Sequence, residues 1–400
     1  MNLLFINANL YGHINPTLGL VKKFTERGNR VRYFCSEEFS EQITNVGAEW
    51  IGFSDRLKLF LKEYYPTDRH PFFMLMEYIL LYDEAVLPEI LDLVKEDQYE
   101  MIICDSYFGA GCFLKKIVKI PVICSHSSFA MSKTPVPDRM LVPRFHPQLD
   151  YCYQVLGRIC EKYKIEHLSL EEVFISKGDL NILYTTGKFN GDAGVHEPDY
   201  LFNGPSIDRI QGASDFNLSI VGDRKLVYIA LGSINTDFID FYKTCIKAFS
   251  GTDYYVCMSI GKKCDISQLG DIPQNFLVKS FLPQLEILKR ADVFVTHAGF
   301  NSVNEALYFG VPMLALPQIN DQHVVAKQIT AMQLGMTESI MELSSEILRS
   351  RVRTLIAEKN FKDNCMKISE EIKNTTNPEK TVLELEKYVT TYGEMREKWR

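Results

Sequence analysis

Positions 292–302 of the chain read Asp-Val-Phe-Val-Thr-His-Ala-Gly-Phe-Asn-Ser. The apolar run at 292–296 predicts a buried β-strand, and the residues from Ser302 to Phe309 predict a helix that Gly310 ends. A strand that passes through a short polar turn into a helix is the building unit of a parallel sheet with helices on its faces. This stretch therefore predicts an α/β fold, and the same pattern recurs on either side of it.

Strand-like runs alternate with helix-like runs along most of the chain and fall into two sets. The first set lies at 3–6, 30–34, 100–104 and 121–124, and the second at 225–231, 254–260, 292–296 and 312–316. Gly-Pro at 204–205, followed by polar residues up to Arg224, is typical of a linker between domains. We therefore predict a Rossmann-like domain over 1–207, a linker over 208–224 and a second Rossmann-like domain over 225–376.

A last helix is predicted over 377–400. Asn377 can cap it, Pro378 suits its first position, and Val382, Leu385 and Val389 have the helical spacing of an apolar face that needs a surface to pack on.

Composition limits the possible functions. Hydrophobic residues make up 46% of the 400 residues and charged residues 24%, which is the balance of a globular protein. The net charge of −7, with no long basic run, disfavours a nucleic-acid partner. The apolar stretch Phe72–Tyr82 has about half the length that a membrane span needs. Ten scattered cysteines predict buried reduced thiols, and we expect a cytoplasmic protein.

The segment Tyr-Gly-His-Ile-Asn-Pro at 11–16 follows the first strand directly. We expect Asn15 to cap a helix that ends at Gly28, so that His13 lies at the carboxyl edge of the sheet, facing a cleft. A histidine can take a proton from an alcohol if a buried carboxylate supports the imidazolium, and Asp105, at another strand end, is the candidate. The residues alone leave two other interpretations open: a loop histidine bonded to backbone, and an aspartate that caps a helix.

The turn after the strand at 292–296 predicts an anion site. Gly299 permits close approach of a ligand to the backbone, and the following helix presents N–H groups at its positive end. His297, Asn301 and Ser302 add donors, which suits a diphosphate.

Three patterns of other nucleotide-dependent proteins are missing from the sequence. There is no G-x-x-x-x-G-K-[ST], no G-x-G-x-x-G after the first strand, and no D-x-D pair. The sequence therefore predicts neither a P-loop, nor a dinucleotide cofactor, nor a metal held by paired aspartates. The charge of a leaving diphosphate would be stabilised by helix ends and side-chain donors.

The densest stretch of motifs, 281–322, resembles the family 1 UDP-glycosyltransferases, and within them the bacterial macrolide-type branch. It contains Phe-Leu-Pro-Gln at 281–284, His-Ala-Gly-Phe-Asn-Ser at 297–302, Gly-Val-Pro-Met at 310–313 and Asp-Gln at 321–322. The Gly-His-Ile-Asn-Pro and Asn-Gly-Pro-Ser segments at 12–16 and 203–206 match as well. The resemblance implies a GT-B fold, in which two Rossmann-like domains face each other across a cleft. The acceptor would bind to the first domain, the donor to the second, and the helix at 377–400 would pack back on the first.

The resemblance also implies roles for individual residues. His13 would be the catalytic base and Asp105 its orienting acid. In the UDP-sugar site, Phe281 and Leu282 would contact uracil, and Gln284 and Glu305 the nucleoside. The diphosphate would be bound by Ser233, His297, Gly299, Asn301 and Ser302. Asp321 and Gln322 would bind the sugar. Phe281 stands where the family usually has Trp.

The resemblance predicts a metal-independent, inverting transfer of a sugar, commonly glucose, from a UDP-sugar co-substrate to a hydroxyl, with no cofactor. An apolar acceptor such as a macrolide, polyketide or flavonoid is expected, in a pocket that includes Phe60, Phe72, Met76 and Phe129; ordinary helix packing would explain these four equally well. We expect a monomer or weak dimer with no membrane span. Two alternatives stay open: another GT-B sugar-nucleotide enzyme, such as an epimerase or lipid-linked transferase, and a non-catalytic UDP-sugar-binding protein.

Overall fold

A computed structural model describes residues 1–54, 57, 70–166, 168–196, 198–207, 218–232, 238–319 and 321–397, without the side chains of 394–397. The chain divides into two compact units. The first comprises Met1–Ile210 and Asn377–Arg400, and the second comprises Gln211–Thr376. The predicted linker at 208–224 spans this division, and its residues 208–217 lie outside the described part.

The described residues of the first unit form a seven-stranded parallel sheet. Its strands are β1 Asn2–Ile6, β2 Arg30–Phe34, β3 Glu49–Ile51, β4 Met101–Asp105, β5 Val122–His126, β6 Leu180–Leu183 and β7 Tyr200–Phe202. They lie in the order β3-β2-β1-β4-β5-β6-β7.

Helices cover both faces of this sheet, so consecutive residues of a central strand are buried on opposite faces. Along β1, Leu4 and Ile6 contribute to one buried cluster and Leu3 and Phe5 to another. The helices are α1 Tyr11–Ile14, α2 Leu18–Glu26, α3 Ser40–Asn45, α4 Pro71–Glu96, α5 Gly111–Ile117, α6 Pro147–Tyr163, α7 Leu170–Ile175 and α8 Gly187–Asn190.

The second unit repeats the plan with six parallel strands among its described residues. The strands are β8 Lys225–Ala230, β9 Tyr254–Ser259, β10 Phe276–Lys279, β11 Val293–Thr296, β12 Met313–Ala315 and β13 Gly335–Thr337, in the order β10-β9-β8-β11-β12-β13. The helices are α9 Ile239–Phe249, α10 Gln284–Leu288, α11 Phe300–Tyr308, α12 Asp321–Ala331, α13 Ser345–Ala357 and α14 Lys359–Thr375.

The strand order reverses direction once in each sheet, between β1 and β4 in the first unit and between β8 and β11 in the second. At such a point the loops that leave neighbouring strands diverge to opposite faces, and a crevice opens at the carboxyl ends of the strands. Each unit therefore has one preferred place for a ligand.

The last helix, α15 Pro378–Glu397, belongs to the first unit. Asn377 caps it, since its side-chain oxygen accepts the Glu379 backbone N–H at 2.9 Å. Val382 and Leu385 are fully buried in the first unit's core. At the rim, Arg27 of α2 pairs with Glu379 and Glu386, each at 2.7 Å.

Two predicted helix starts are wrong. His13 lies in the short helix α1 and not in a loop. Asn15 is not an N-cap: it has helical angles (φ −52°, ψ −41°), follows the end of α1 and opens a 3₁₀ turn that leads into α2. The turn follows from Pro16, which has no N–H for the α-helical ladder. Similarly, α11 begins at Phe300, two residues before the prediction, with Gly299 at its N-cap.

No helix in the described ranges is long and apolar enough to cross a membrane.

Candidate functional site

His13 and Asp105 meet at the point where the order of the first sheet reverses. The Nδ1 atom of His13 lies 2.7 Å from Oδ2 of Asp105, close enough for the imidazole N–H to donate to the carboxylate. Asp105 is the last residue of β4 and its side chain is 1% exposed, while that of His13 is 17% exposed. The second oxygen of Asp105 accepts the backbone N–H groups of Tyr107 and Phe108, both at 2.9 Å. The carboxylate is thus held in one orientation.

A second buried acid supports the turn that follows Asp105. Asp83 of α4 accepts the backbone N–H of Ala110 at 3.1 Å, and Ala110 has a left-handed conformation (φ 52°) that is strained for an alanine. Burial raises the pKa of Asp83 well above its ordinary value, and the nearby charge of Asp105 raises it further. Burial thus favours the protonated form of Asp83, which holds the turn after Asp105 through Ala110.

Ser127 contacts the same ring nitrogen, and sequence reasoning missed it. Its Oγ lies 2.8 Å from Nδ1 of His13, and the residue is buried. It follows β5, which pairs with β4 so that Asp105 stands opposite Ser125. The run Ser-His-Ser-Ser at 125–128 comes directly after an apolar strand. That signal marks a strand's carboxyl end and could have identified Ser127.

In the second unit, the residues predicted to bind an anion lie at the start of α11. The first helical hydrogen bond runs from the Val303 N–H to the Gly299 carbonyl at 3.0 Å. The N–H groups of Phe300, Asn301 and Ser302 therefore lie in the first turn, at the positive end of a nine-residue helix. Ala298, just before it, is buried with φ 62°, a conformation that alanine rarely adopts.

His297 lies between two glycines of this site. A Cβ atom on Gly232 would lie 2.7 Å from Nε2 of His297, and one on Gly299 would also collide with the ring. Burial lowers the pKa of His297 to about 4, although the backbone of Ala230 acts in the opposite direction. The imidazole is therefore neutral near pH 7 and can donate one ring N–H to an anion.

The predicted nucleoside residues surround the same helix. The Gln284 amide N–H₂ donates to Glu305 Oε2 at 2.7 Å and to Ser302 Oγ at 3.2 Å, and the buried Tyr228 hydroxyl donates to Gln284 Oε1 at 3.3 Å. Phe281 is 75% exposed, which is unusual for such a large apolar side chain. The next residue, Leu282, is buried.

Asp321 and Gln322 open helix α12 in the second unit. Asp321 is exposed, whereas Gln322 turns its side-chain oxygen to the preceding loop, where it accepts the N–H groups of Gln318 at 2.9 Å and Ile319 at 3.3 Å. Gln322 thus shapes the loop that carries Asp321.

The structure describes three of the four predicted acceptor residues, and all three are buried. Phe72 and Met76 belong to a core cluster, Met76 fully buried, while the ring of Phe129 packs 5.5 Å from that of Phe189. Core packing accounts for their burial, and their pocket role stays a prediction. Phe60 and the diphosphate residue Ser233 lie outside the described residues.

The chain is similar in sequence to one protein family and to several named proteins. The family described as "UDP-glucoronosyl and UDP-glucosyl transferase" matches residues 217–380. The uncharacterized UDP-glucosyltransferase YojK of Bacillus subtilis is 30% identical over 93% of this chain and 93% of its own. The demethyllactenocin mycarosyltransferase of Streptomyces fradiae is 26% identical over 92% of this chain and 82% of its own.

Among solved structures, the glycotransferase of kitacinnamycin matches with a TM-score of 0.84 at 24% identity, over 96% of this chain and 98% of that one. The two Rossmann-like units therefore have the GT-B fold of glycosyltransferases. The chain belongs to the family of UDP-glucuronosyl and UDP-glucosyl transferases, and it is a glycosyltransferase.

Proposed function

We propose that this glycosyltransferase moves a sugar, glucose as the first candidate, from a UDP-sugar to a hydroxyl of an apolar small molecule, with inversion and without metal or cofactor. The observation that carries the proposal is the buried contact of 2.7 Å between His13 Nδ1 and Asp105 Oδ2 at a sheet reversal point. A histidine paired with a buried carboxylate in this way is equipped to act as a general base.

In the proposed reaction, neutral His13 accepts the acceptor's hydroxyl proton at Nε2 while the oxygen attacks the anomeric carbon. The bond from that carbon to the diphosphate oxygen breaks, and UDP leaves with the electron pair. Asp105 stays ionised and stabilises the imidazolium through Nδ1–H. A single displacement inverts the anomeric centre, so that an α-linked donor gives a β-glycoside.

The proposal assigns the diphosphate to the first turn of α11. Backbone N–H groups at a helix N-terminus stabilise an anion. Here they would stabilise the negative charge that develops on the leaving UDP. The neutral ring of His297 adds a donor without adding a charge. This donor set is the reason to propose catalysis without a metal.

Uridine is proposed because Phe281 exposes an aromatic face and Glu305, fixed by Gln284, can accept from ribose hydroxyls. Asp321 and Gln322 are proposed to hold the sugar. The names of the two relatives differ in the sugar, glucosyl in one and mycarosyl in the other. Glucose is therefore tested together with other sugars.

An apolar acceptor is proposed because apolar side chains are exposed in the first unit, which carries His13. Val142 is 47% and Phe145 46% exposed, and Phe145 packs edge-on to Phe73 with ring centroids 6.4 Å apart. Exposed apolar surface of this kind often marks a binding site. Macrolides, polyketides and flavonoids are the first acceptors to test.

A reducing compartment, the cytoplasm, is proposed because all ten cysteines are buried and none forms a disulfide bond. Detection of the protein in a secreted fraction would contradict this proposal.

We also propose a monomer or weak dimer, which sedimentation at several concentrations tests. A stable larger assembly would contradict that proposal.

The decisive experiment compares the wild type with His13→Ala. UDP-sugars are crossed with phenolic and macrolide acceptors in the presence of a chelator, with products read by mass and anomeric configuration by NMR. We expect wild-type turnover to a β-glycoside, and activity lower by roughly 10² to 10⁴-fold in His13→Ala with unchanged UDP affinity. Full activity of His13→Ala would refute the base, and loss of wild-type turnover on chelation would refute metal independence.

A further inference from the structure

Ser127 is a buried polar residue to which the reaction above gives no role. Its Oγ lies 2.8 Å from His13 Nδ1, the nitrogen that also lies 2.7 Å from Asp105. Two oxygens, one from the end of β4 and one from beyond the end of β5, thus approach one ring nitrogen. The pairing of these adjacent strands holds both oxygens in place.

The tautomer of His13 decides what Ser127 does. A neutral imidazole that is to accept a proton at Nε2 must carry its hydrogen on Nδ1. In that tautomer Nδ1 has no lone pair, so the Ser127 oxygen can only accept, sharing the N–H with Asp105 in a three-centre hydrogen bond. Donation from Ser127 to Nδ1 would require the opposite tautomer, which cannot act as a base through Nε2.

We propose that Ser127 is a positioning residue for the catalytic base: its Oγ is a second acceptor of the Nδ1–H of His13, fixing the rotation of the ring and stabilising the imidazolium. The inference rests on the proposed function of His13. The acceptor's proton stays on Nε2 until it is released to solvent, and Ser127 and Asp105 exchange no proton with the ring.

Other titratable groups near the dyad lie on α4, β2 and β5 and just beyond β6. Tyr78 and Tyr82 of α4 pack on Phe108, whose ring centroid is 5.7 Å from that of His13, and Asp83 supports the turn after Asp105. On β2, the Tyr33 hydroxyl accepts from Asn7, which also donates to the His13 carbonyl. Burial raises the pKa of Tyr33, Tyr78, Tyr82 and Asp83. Burial also raises the pKa of Tyr184 and lowers that of His126 to about 4. All these shifts favour the uncharged form, and Asp105 is the charged partner of the ring in the proposed reaction.

The test compares Ser127→Ala and Ser127→Thr with the wild type. Without the second acceptor, the imidazolium is less stable and the base is weaker. We expect kcat to fall about tenfold in Ser127→Ala, as for loss of a hydrogen bond to a charged group. We expect the acidic limb of the kcat/KM profile to move to lower pH, by up to about one pH unit. UDP affinity should be unchanged, and Ser127→Thr, which keeps the hydroxyl, should restore most of the rate.

Ser125→Ala is the matched control. It removes another buried serine hydroxyl from β5, one that bonds to the Tyr184 hydroxyl at 2.8 Å and not to His13. It should lower stability without moving the pH profile. If Ser127→Ala does not fold, Ser127→Cys, of similar size and with a weak acceptor, replaces it.

A wild-type kcat and acidic limb in Ser127→Ala would overturn the inference. A higher kcat would also overturn it, because Ser127 would then be favouring the opposite tautomer. His13→Ala is measured alongside: if that variant keeps its activity, the proposed base itself fails. If His13→Ala loses activity but the Ser127 variants behave like the wild type, His13 is still the base and Ser127 has no positioning role.

Discussion

Phe281 is a large apolar residue of the proposed donor site, and three quarters of it is exposed. An exposed phenylalanine contributes little to folding, whereas stacking of a base on an aromatic ring is worth about 1 to 3 kcal/mol. We expect Phe281→Ala to weaken UDP binding roughly tenfold to a hundredfold, measured by titration calorimetry, with the unfolding midpoint unchanged.

Phe281→Trp is the control, since it enlarges the stacking face and should bind UDP at least as tightly as the wild type. Equal UDP affinity in Phe281→Ala and the wild type would show that the uracil ring does not stack on Phe281.

At this scale the sequence predicts a residue well when its position follows from a strand end. The contact between His13 and Asp105 is predicted in this way, because the carboxyl ends of parallel strands meet at one edge. Ser127 obeys the same rule but lies just beyond its strand, among other serines. A contact of 2.8 Å depends on backbone direction after the strand, which residue types do not specify.

Among the elements, the β8–α9 connection has an unusual constraint at Gly232. Its φ is 86°, and a side chain there would collide with the His297 ring. We expect Gly232→Ala to displace the ring, weaken UDP binding by at least tenfold, and lower the free energy of unfolding by about 1 to 2 kcal/mol through the left-handed conformation.

Gly157→Ala is the matched control for that variant. Gly157 lies exposed within α6, with nothing near its Cβ position, so alanine should raise the free energy of unfolding by about 0.5 to 1 kcal/mol and leave UDP binding alone. Normal UDP binding by Gly232→Ala would mean that His297 takes no part in the donor site.

Strands were easier to predict than helix starts. β2 matches its predicted range of 30–34, because Val31, Tyr33 and Phe34 are good strand formers and Gly28 and Asn29 precede the strand. The helix starts near Asn15 and Ser302 are wrong because both residue types are good caps, while the backbone had already become helical at Tyr11 and Phe300. Cap preference is a local tendency that tertiary packing overrides.

For the whole molecule, pH should act on both units through buried histidines. Burial lowers the pKa of His126 in the first unit to about 4, as it does that of His297 in the second. Between about pH 6.5 and 4 the unfolded chain binds more protons, so the free energy of unfolding falls as the pH falls. For His126 the loss reaches about 3 kcal/mol at pH 4.

Urea denaturation of the wild type and His126→Asn at pH 7 and at pH 4.5 measures this effect. We expect the midpoint of the first unit to fall less on acidification in His126→Asn, since the variant has no histidine to protonate there. An identical fall in both proteins would show that His126 is already charged in the folded state.

Two Rossmann-like units were predictable at this scale because strand and helix patterns alternate in two sets, whereas the GT-B fold was implied by the family resemblance. The pairing order of the strands was not predictable, because β1 lies beside β4 and β8 beside β11 although these strands are far apart along the chain. The sequence also does not identify the acceptor. Met76 and Phe72 are equally suited to a pocket and to a core, and their place in a core cluster follows only from the packing.

The place of α15 has a consequence for synthesis. The first unit is interrupted in sequence: its last residues, 377–400, follow the whole second unit. At about 5 to 20 residues per second, roughly 10 to 40 seconds separate translation of residue 210 from that of residue 400. During that interval the site that will receive Val382 and Leu385 is uncovered, and the nascent first unit reaches its final form only after the whole second unit has been translated.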